Sequence, residues 1–496
     1  MTLASNILSR SFNTLVRDSV YIGGQWVKAS SRAVLDVTNP ANGEVVAQVP
    51  NCTVADAEKA VVAAKKAFKT WGFETTARQR HDLLMKWYHL MIENHEDLAK
   101  IMTIEQGKPL VESRGEITYG AGFLEWFAEE ARRIDGEIVP PATPGRQMLF
   151  YREPIGVAAM ITPWNFPSSM ITRKAGAALA AGCTCVVRPA EDTPLSALAL
   201  AALSEKAGIP EGVFNVITSD RDNAGPIGKY LCESEDIGAL SFTGSTPVGK
   251  LLLKQSADTV KRVSLELGGN APFIVFDSAD VDAAVKGAIA SKFRNSGQTC
   301  VCANRFLVQS GIHDEFVAKL AEATKCLVLG DGLQQGTTQG PLINKKAVEK
   351  VESLVKSAVN EGAKLKQGGE RNQKGANFFT PTILTDVTPQ MTIFKQEIFG
   401  PVVTISKFEK EQDAINLANE VRVGLAGYFF SRDLSQIFRV ARRMEVGMVG
   451  VNEGIISAPE AAFGGVKESG IGREGSHHGI DEYTNVKYVC LGGLTP

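Results

Sequence analysis

The chain is poor in the features that mark metal sites, membrane spans and polyanion binding. It has only six histidines among 496 residues. None lies at ligand spacing from a cysteine, and the eight cysteines (52, 183, 185, 232, 300, 302, 326 and 490) form no C-x-x-C pair. No zinc site, and no resident metal, is therefore expected. A chain of this length needs no disulfide framework, which points to a reducing compartment. No run of about 18 apolar residues occurs, so no membrane helix is expected. Lys and Arg total 53 against 55 Asp and Glu, a net charge of −2 that gives no footing to nucleic acid or to a membrane surface. Low-complexity stretches, long linkers and internal repeats are missing too. What remains is an ordinary globular balance, 44% hydrophobic and 22% charged, with length for roughly two to four domains.

The N-terminus carries one signal. Met1 to Arg17 holds Arg10, Arg17, Ser5, Ser9 and Ser11, with no acidic residue before Asp18. Arg, Ser and no acid is the composition of a mitochondrial transit peptide, so residues 1–19 are read as an import extension and the matrix as the destination. A cytoplasmic protein is the alternative.

Residues 21–48 alternate short strands with turns, and three helical patterns follow at about 54–71, 76–97 and 109–134. From 155 the texture changes to strands alternating with helices. Strands are expected at 156–162, 183–188, 212–218, 237–243, 271–276, 304–309, 402–406, 425–430 and 446–451. Helices are expected at about 168–181, 194–207, 246–257, 280–293, 313–326 and 345–361, with Pro194 opening one of them. That rhythm implies right-handed crossovers and a doubly wound parallel sheet, an α/β fold. The last twenty residues read as a terminal strand.

Four stretches bear on chemistry. Phe293 to Asn304 sets Cys300 among Gly297, Gln298 and Thr299, flanks that core filling does not explain. A lone cysteine is ordinarily a small buried hydrophobe, yet Cys is also the most nucleophilic side chain near neutral pH. Val263 to Asn270 places one carboxylate, Glu266, in an apolar segment, where burial would raise its pKa and suit it to act as a base; a capping or ion-paired Glu is the alternative. Gly244 to Lys250 nearly spells a phosphate loop, but Leu251 stands where magnesium binding needs Ser or Thr. Its glycine turn between strand and helix still suits a diphosphate. Gly470-Ile471-Gly472-Arg473-Glu474-Gly475 matches G-x-G-x-x-G without the strand–helix context of a dinucleotide fingerprint, and is read as a loop.

Six motifs, in this order, resemble the aldehyde dehydrogenase superfamily from about 20 to 494: Pro163-Trp164-Asn165-Phe166-Pro167, Phe242-Thr243-Gly244-Ser245, Leu265-Glu266-Leu267-Gly268-Gly269, Gly297-Gln298-Thr299-Cys300, Glu397-Ile398-Phe399-Gly400-Pro401 and Phe463-Gly464-Gly465. The resemblance implies a doubly wound cofactor domain (20–134 and 154–267), an α/β catalytic domain (268–477) and a small β oligomerisation arm (135–153 and 478–496). It implies Cys300 as nucleophile, Asn165 with the Cys300 N–H as oxyanion hole, and Glu266 as the base that activates water. It implies NAD as cofactor, held by Trp164, by Arg188, Pro189, Ala190 and Glu191, by Gly244, Ser245, Thr246, Pro247, Val248 and Gly249, and by Glu397 and Phe399. The family commonly has Lys where this chain has Arg188. Arg could accommodate a 2′-phosphate, but Glu191 would repel one, so NAD is expected over NADP.

Within the superfamily the chain most resembles succinate-semialdehyde dehydrogenases, through Met170 to Lys174, Lys292 to Asn295, Cys300 to Asn304, Val451 to Ser457 and Gly479 to Tyr483. That resemblance implies a small aldehyde with a distal carboxylate, gripped by Arg173 and Arg294, whose forked donors suit it, and by Ser457. A glutarate-semialdehyde or broader ω-carboxy-aldehyde dehydrogenase is one alternative, and a catalytically silent dinucleotide-binding homologue another. The family implies a homotetramer. Cys302, two residues from Cys300, raises a redox disulfide between the two.

Overall fold

The computed structural model describes residues 15–494, so most of the expected import segment lies outside the described residues. Leu15 is buried in the core and the Arg17 guanidinium sits 5.0 Å from the Trp26 ring centroid. Residues 15–17 thus pack onto the folded body.

The expected strands form two parallel layers. Val157–Ile161 and Thr184–Arg188 are buried along their whole length, which is why they read as continuous apolar runs: helices cover both faces of a parallel sheet. In the first layer the five parallel strands run Phe214–Val216, Thr184–Arg188, Val157–Ile161, Ile237–Thr243, Arg262–Glu266. Chain order therefore reverses between Val157–Ile161 and Ile237–Thr243. A crevice opens beyond the carboxyl ends of strands at such a reversal, where ligands bind in doubly wound sheets. Antiparallel strands close both sides: Val20–Ile22 with Gln25–Val27 on one, Gly470–Ile471 on the other.

The second sheet runs Lys364–Gln367, Thr382–Thr385, Val402–Phe408, Ala303–Gln309, Ala271–Val275, Ala426–Phe430, Met448–Val451, and only its first pair is antiparallel. The terminal strand Thr484–Leu491 pairs along its length with Gln147–Pro154, which also pairs with Glu137–Val139. This three-stranded arm carries exposed apolar side chains at Ile138, Tyr151, Val486 and Tyr488.

Three expectations differ from the structure. The helix read over 76–97 ends at Glu93: Asn94 leaves helical geometry, its N–H bonds back to Leu90 O, and a separate helix spans His95–Gln106. The second helix buries Glu105 and Gln106, which hides its apolar face from a periodicity count. Helices at Glu411–Asn419 and Leu434–Arg443 were not anticipated. The loop read at 470–475 contains an edge strand of the first sheet. Gly470 is needed there, with φ 144° and a backbone so close that a Cβ would collide with the Leu265 carbonyl.

Candidate active site

Cys300 lies on the loop between helix Val281–Phe293 and strand Ala303–Gln309. Three successive residues on this loop, Asn295, Ser296 and Gly297, have φ of 50°, 55° and 74°. Two of them are not glycine, a conformation that persists only where the surroundings over-determine it. They do. The Asn295 N–H donates to Glu112 Oε2 (2.8 Å), its side-chain amide donates to Asn165 O (2.9 Å), and its Oδ1 accepts from Gln106 Nε2 (3.0 Å). The Ser296 hydroxyl donates to Gly340 O (2.8 Å), and Gln298 Oε1 accepts the Ile343 N–H (2.9 Å). The polar flanks of Cys300 are therefore buried fasteners that hold a strained loop.

Asn165 follows strand Val157–Ile161 at the reversal point. Its carbonyl accepts from Lys108 Nζ (2.7 Å) and Asn295 Nδ2, its Nδ2 donates to Gln298 O (3.0 Å), and its Oδ1 has no protein partner. Lys108 is itself buried, 2.5 Å from Glu116 and 4.0 Å from the Phe166 ring centroid. Glu116 in turn accepts the N–H groups of Ser168 (3.0 Å) and Ser169 (3.2 Å) at the start of helix Ser169–Ala181. Gln106 ends helix His95–Gln106, Lys108 follows it, and Glu112 and Glu116 lie on helix Leu110–Ala131; none was anticipated, since nothing local in residues some 190 positions upstream of Cys300 ties them to this loop.

Cys300 is shared by two chambers. On one side is a cleft of about 280 Å³ lined by Pro163, Trp164, Asn165, Gly244, Ser245, Glu266, Glu397 and Phe399, together with the unanticipated Thr243, Leu267, Gly268, Ala347 and Lys350. Trp164 meets Phe399 edge-on, ring centroids 5.6 Å apart. Glu397 Oε1 accepts the Gly269 N–H (3.1 Å). Gly249, in helix Thr246–Gln255, stands outside the cleft lining but so close to the Leu267 side chain that a Cβ would clash with it. Thr246, Pro247 and Val248 form the first turn of that helix, outside the cleft lining. Arg188 ends the neighbouring strand Thr184–Arg188, Pro189, Ala190 and Glu191 follow it, and all four stand outside the cleft lining. The Arg188 guanidinium is occupied, donating to Ser219 Oγ (3.0 Å) and Glu191 Oε2 (3.1 Å).

On the other side of Cys300, Arg173, Arg294 and Ser457 meet as expected, joined by Tyr119, Phe166, Met170, Thr299, Val301 and Phe463. This chamber holds only about 10 Å³ of free space, room for about one water. Arg294 faces the Phe166 ring at 5.3 Å and Arg173 the Phe463 ring at 4.4 Å. Arg173 is not a free cation: it and Lys174 both pair with Glu474. The segment read as an uncommitted loop thus supplies a buried carboxylate to the site floor.

Burial, reinforced by Glu474, pushes the Glu266 carboxyl well above its ordinary range. Both Glu266 oxygens are buried without a protein partner. Burial also works to raise Glu474, but Arg173 and Lys174 overcome it and hold that group low. Burial pushes the Cys300 thiol up to about 12, with Arg173 opposing; at neutral pH it is a thiol that needs a proton acceptor. Cys302 is reduced and buried, its sulfur 3.4 Å from Lys292 O. Among the described residues no cluster of His, Cys, Asp and Glu could hold a metal.

The aldehyde dehydrogenase family model matches residues 26–489. The chain is 59% identical over 481 residues to the mitochondrial succinate-semialdehyde dehydrogenase of Homo sapiens, covering 97% of this chain and 89% of that one. It is 53% identical over 480 residues to a glutarate-semialdehyde dehydrogenase of Pseudomonas aeruginosa, covering 97% and 99%. The crystal structure of succinate-semialdehyde dehydrogenase from Burkholderia pseudomallei superposes with a TM-score of 0.96 at 51% identity, covering 98% of this chain and all of that one. The chain belongs to the aldehyde dehydrogenase family.

Proposed function

We propose that the chain oxidises succinate semialdehyde to succinate with NAD, through a thioester on Cys300. The observation that carries this reading is the position of Cys300 between a cleft at the sheet's reversal point and a chamber bearing two arginines. The cleft fits the cofactor: glycine backbone lies close under a helix start, and the Glu397 carboxylate lines the wall as an acceptor for ribose hydroxyls. Trp164, Gly244, Ser245, Gly249, Glu397 and Phe399 would hold it. Bound NAD supplies the acceptor for the hydride leaving the aldehyde carbon.

In the other chamber Arg173, Arg294 and Ser457 take the distal carboxylate, which presents the aldehyde carbon to Cys300 Sγ. The sulfur adds to that carbon as its proton passes to water in the cleft. Asn165 Nδ2 and the Cys300 N–H donate to the oxygen as it gains charge, the type of contact that is usually a large catalytic contribution. Once the thioester has formed, Glu266 takes a proton from water, hydroxide attacks the acyl carbon, and succinate leaves as the thiol is restored.

The chain length of the substrate is the second reading, favoured by the 53% identity to a glutarate-semialdehyde dehydrogenase. One methylene discriminates by about 1–3 kcal/mol. A kcat/KM panel with NAD separates the alternatives: succinate semialdehyde is expected to exceed butanal by roughly 100-fold, because one hydrogen bond to a charged group contributes about 1.5–3 kcal/mol. Arg294→Ala should erase most of that ratio. Butanal within threefold of succinate semialdehyde would refute the substrate class, and glutarate semialdehyde ahead of succinate semialdehyde would move the assignment by one methylene.

The tripartite division into a cofactor domain (20–134 and 154–267), a catalytic domain (268–477) and an arm (135–153 and 478–496) belongs to the same reading. So does a homotetramer, supported by the apolar side chains exposed on the arm. Import into mitochondria is supported by the name of the human relative, and processing that spares the fold would cut before Leu15. A Cys300–Cys302 disulfide would need the Cys302 thiol to leave Lys292.

A further inference from the structure

We propose that the Tyr119 hydroxyl is a fourth donor to the distal carboxylate of the substrate, beside Arg173, Arg294 and Ser457, and sets how strongly the enzyme prefers a carboxylate-bearing aldehyde. The inference rests on the substrate reading above. Nothing in the motifs singles out Tyr119: it lies on helix Leu110–Ala131, far in sequence from Cys300. Two features of the fold bring it to the chamber. Gly120, the next residue, lets its helix approach helix Ser169–Ala181 until a Cβ there would stand 3.2 Å from Ser169 Cα. The Tyr119 ring is set edge-on against Phe123, centroids 4.8 Å apart. The side chain then lines the same small chamber as Arg173, Arg294, Ser457 and Cys300.

The polar groups in this chamber are unbalanced in one direction. Tyr119 Oη is buried beside the Arg173 guanidinium, which can donate to the phenol oxygen, and the Tyr119 O–H finds no acceptor among the described residues; Glu474 occupies only part of that guanidinium. Buried polar groups are nearly always satisfied, and each one left bare costs free energy. A phenol O–H left without an acceptor beside Arg173 and Arg294 fits an anion with several lone pairs. A carboxylate, with roughly four acceptor positions, can take donors from both arginines and still accept a phenol. Phe166, Met170 and Phe463 wall the chamber with apolar surface, which strengthens such bonds by excluding water. Burial raises the Tyr119 pKa, so at neutral pH the hydroxyl keeps the proton it donates.

The test is Tyr119→Phe, which keeps the ring and its packing on Phe123 and removes only the oxygen. The readout is the ratio of kcat/KM for succinate semialdehyde to that for butanal, measured with NAD on parent and variant side by side. A donor to a charged acceptor should make that ratio fall about tenfold, whereas a structural role would lower both substrates together and leave the ratio in place. A fall of threefold or more supports the assignment, and a smaller change overturns it. If the parent itself does not prefer succinate semialdehyde over butanal, the substrate reading has failed instead.

Discussion

Replacing Lys108 with methionine tests how firmly the oxyanion side of the site is held. Lys108 Nζ stands 2.5 Å from Glu116 Oε2 and 2.7 Å from Asn165 O, and both charged side chains are about 1% exposed. Removing one partner of a buried ion pair costs about 3–5 kcal/mol, because the other charge is left uncompensated. Glu116 keeps three other donors, the N–H groups of Ser168 and Ser169 and the Ser169 hydroxyl at 3.4 Å. The lower end, about 3 kcal/mol, is therefore expected. Spent on local opening, that corresponds to roughly 100-fold faster amide exchange over 164–173, read by mass spectrometry. Asn165 loses a restraint on its own carbonyl, so kcat should fall about tenfold, less than the full loss of an oxyanion donor. Exchange within threefold of the parent together with an unchanged kcat would refute the reasoning. Asn165 would then be held by Asn295 and Gln298 alone.

Other outcomes follow from the same geometry. In Gly249→Ala the new Cβ meets the end of the Leu267 side chain and displaces it within the cleft that it lines; overpacking of this kind costs about 1–3 kcal/mol. The NAD dissociation constant from titration calorimetry should weaken about tenfold, and an unchanged constant would contradict the placement of the cofactor. Glu266 can accept a proton only when ionised, and burial with Glu474 raises its pKa, so kcat should climb with pH as that proton leaves. Glu474→Gln removes a neighbouring negative charge, favours ionised Glu266, and should shift the climb to lower pH; a shift upward, or none, would count against the coupling. If Cys302 brakes Cys300 by a disulfide, peroxide-treated parent regains activity with dithiothreitol while Cys302→Ala does not. Equal recovery in both would remove that role.

Much of the frame was legible because its signals are local. Apolar runs such as Val157–Ile161, punctuated by Pro163 or Gly244, mark buried parallel strands and the turns after them, and three of the six motifs lie on those turns. Asn165 and Glu266 stand there for that reason, while Cys300 and Glu397 precede the strands Ala303–Gln309 and Val402–Phe408. What stayed hidden depends on long-range pairing. Glu474 reads as part of a glycine loop, yet it is the counter-ion of Arg173 and Lys174. Glu112 and Glu116 read as parts of an ordinary helix, and Gln106 and Lys108 as the connection before it, yet they fasten Asn295 and Asn165. Burial turns such residues from solvated polar groups into obligatory partners, and burial at a helix end cannot be counted from spacing. Arg188 shows the converse case: its identity stood out in the sequence, but its guanidinium is spent on Ser219 and Glu191 rather than pointing into the cleft.

The most direct test of covalent oxidation at Cys300 is the intact mass of Glu266→Gln after mixing with NAD and succinate semialdehyde. Without a base to activate water, a single burst of NADH should be accompanied by a succinyl adduct that peptide mapping places on Cys300. Continuous turnover at the parent's rate, or NADH formed with no adduct on Cys300, would contradict the thioester route.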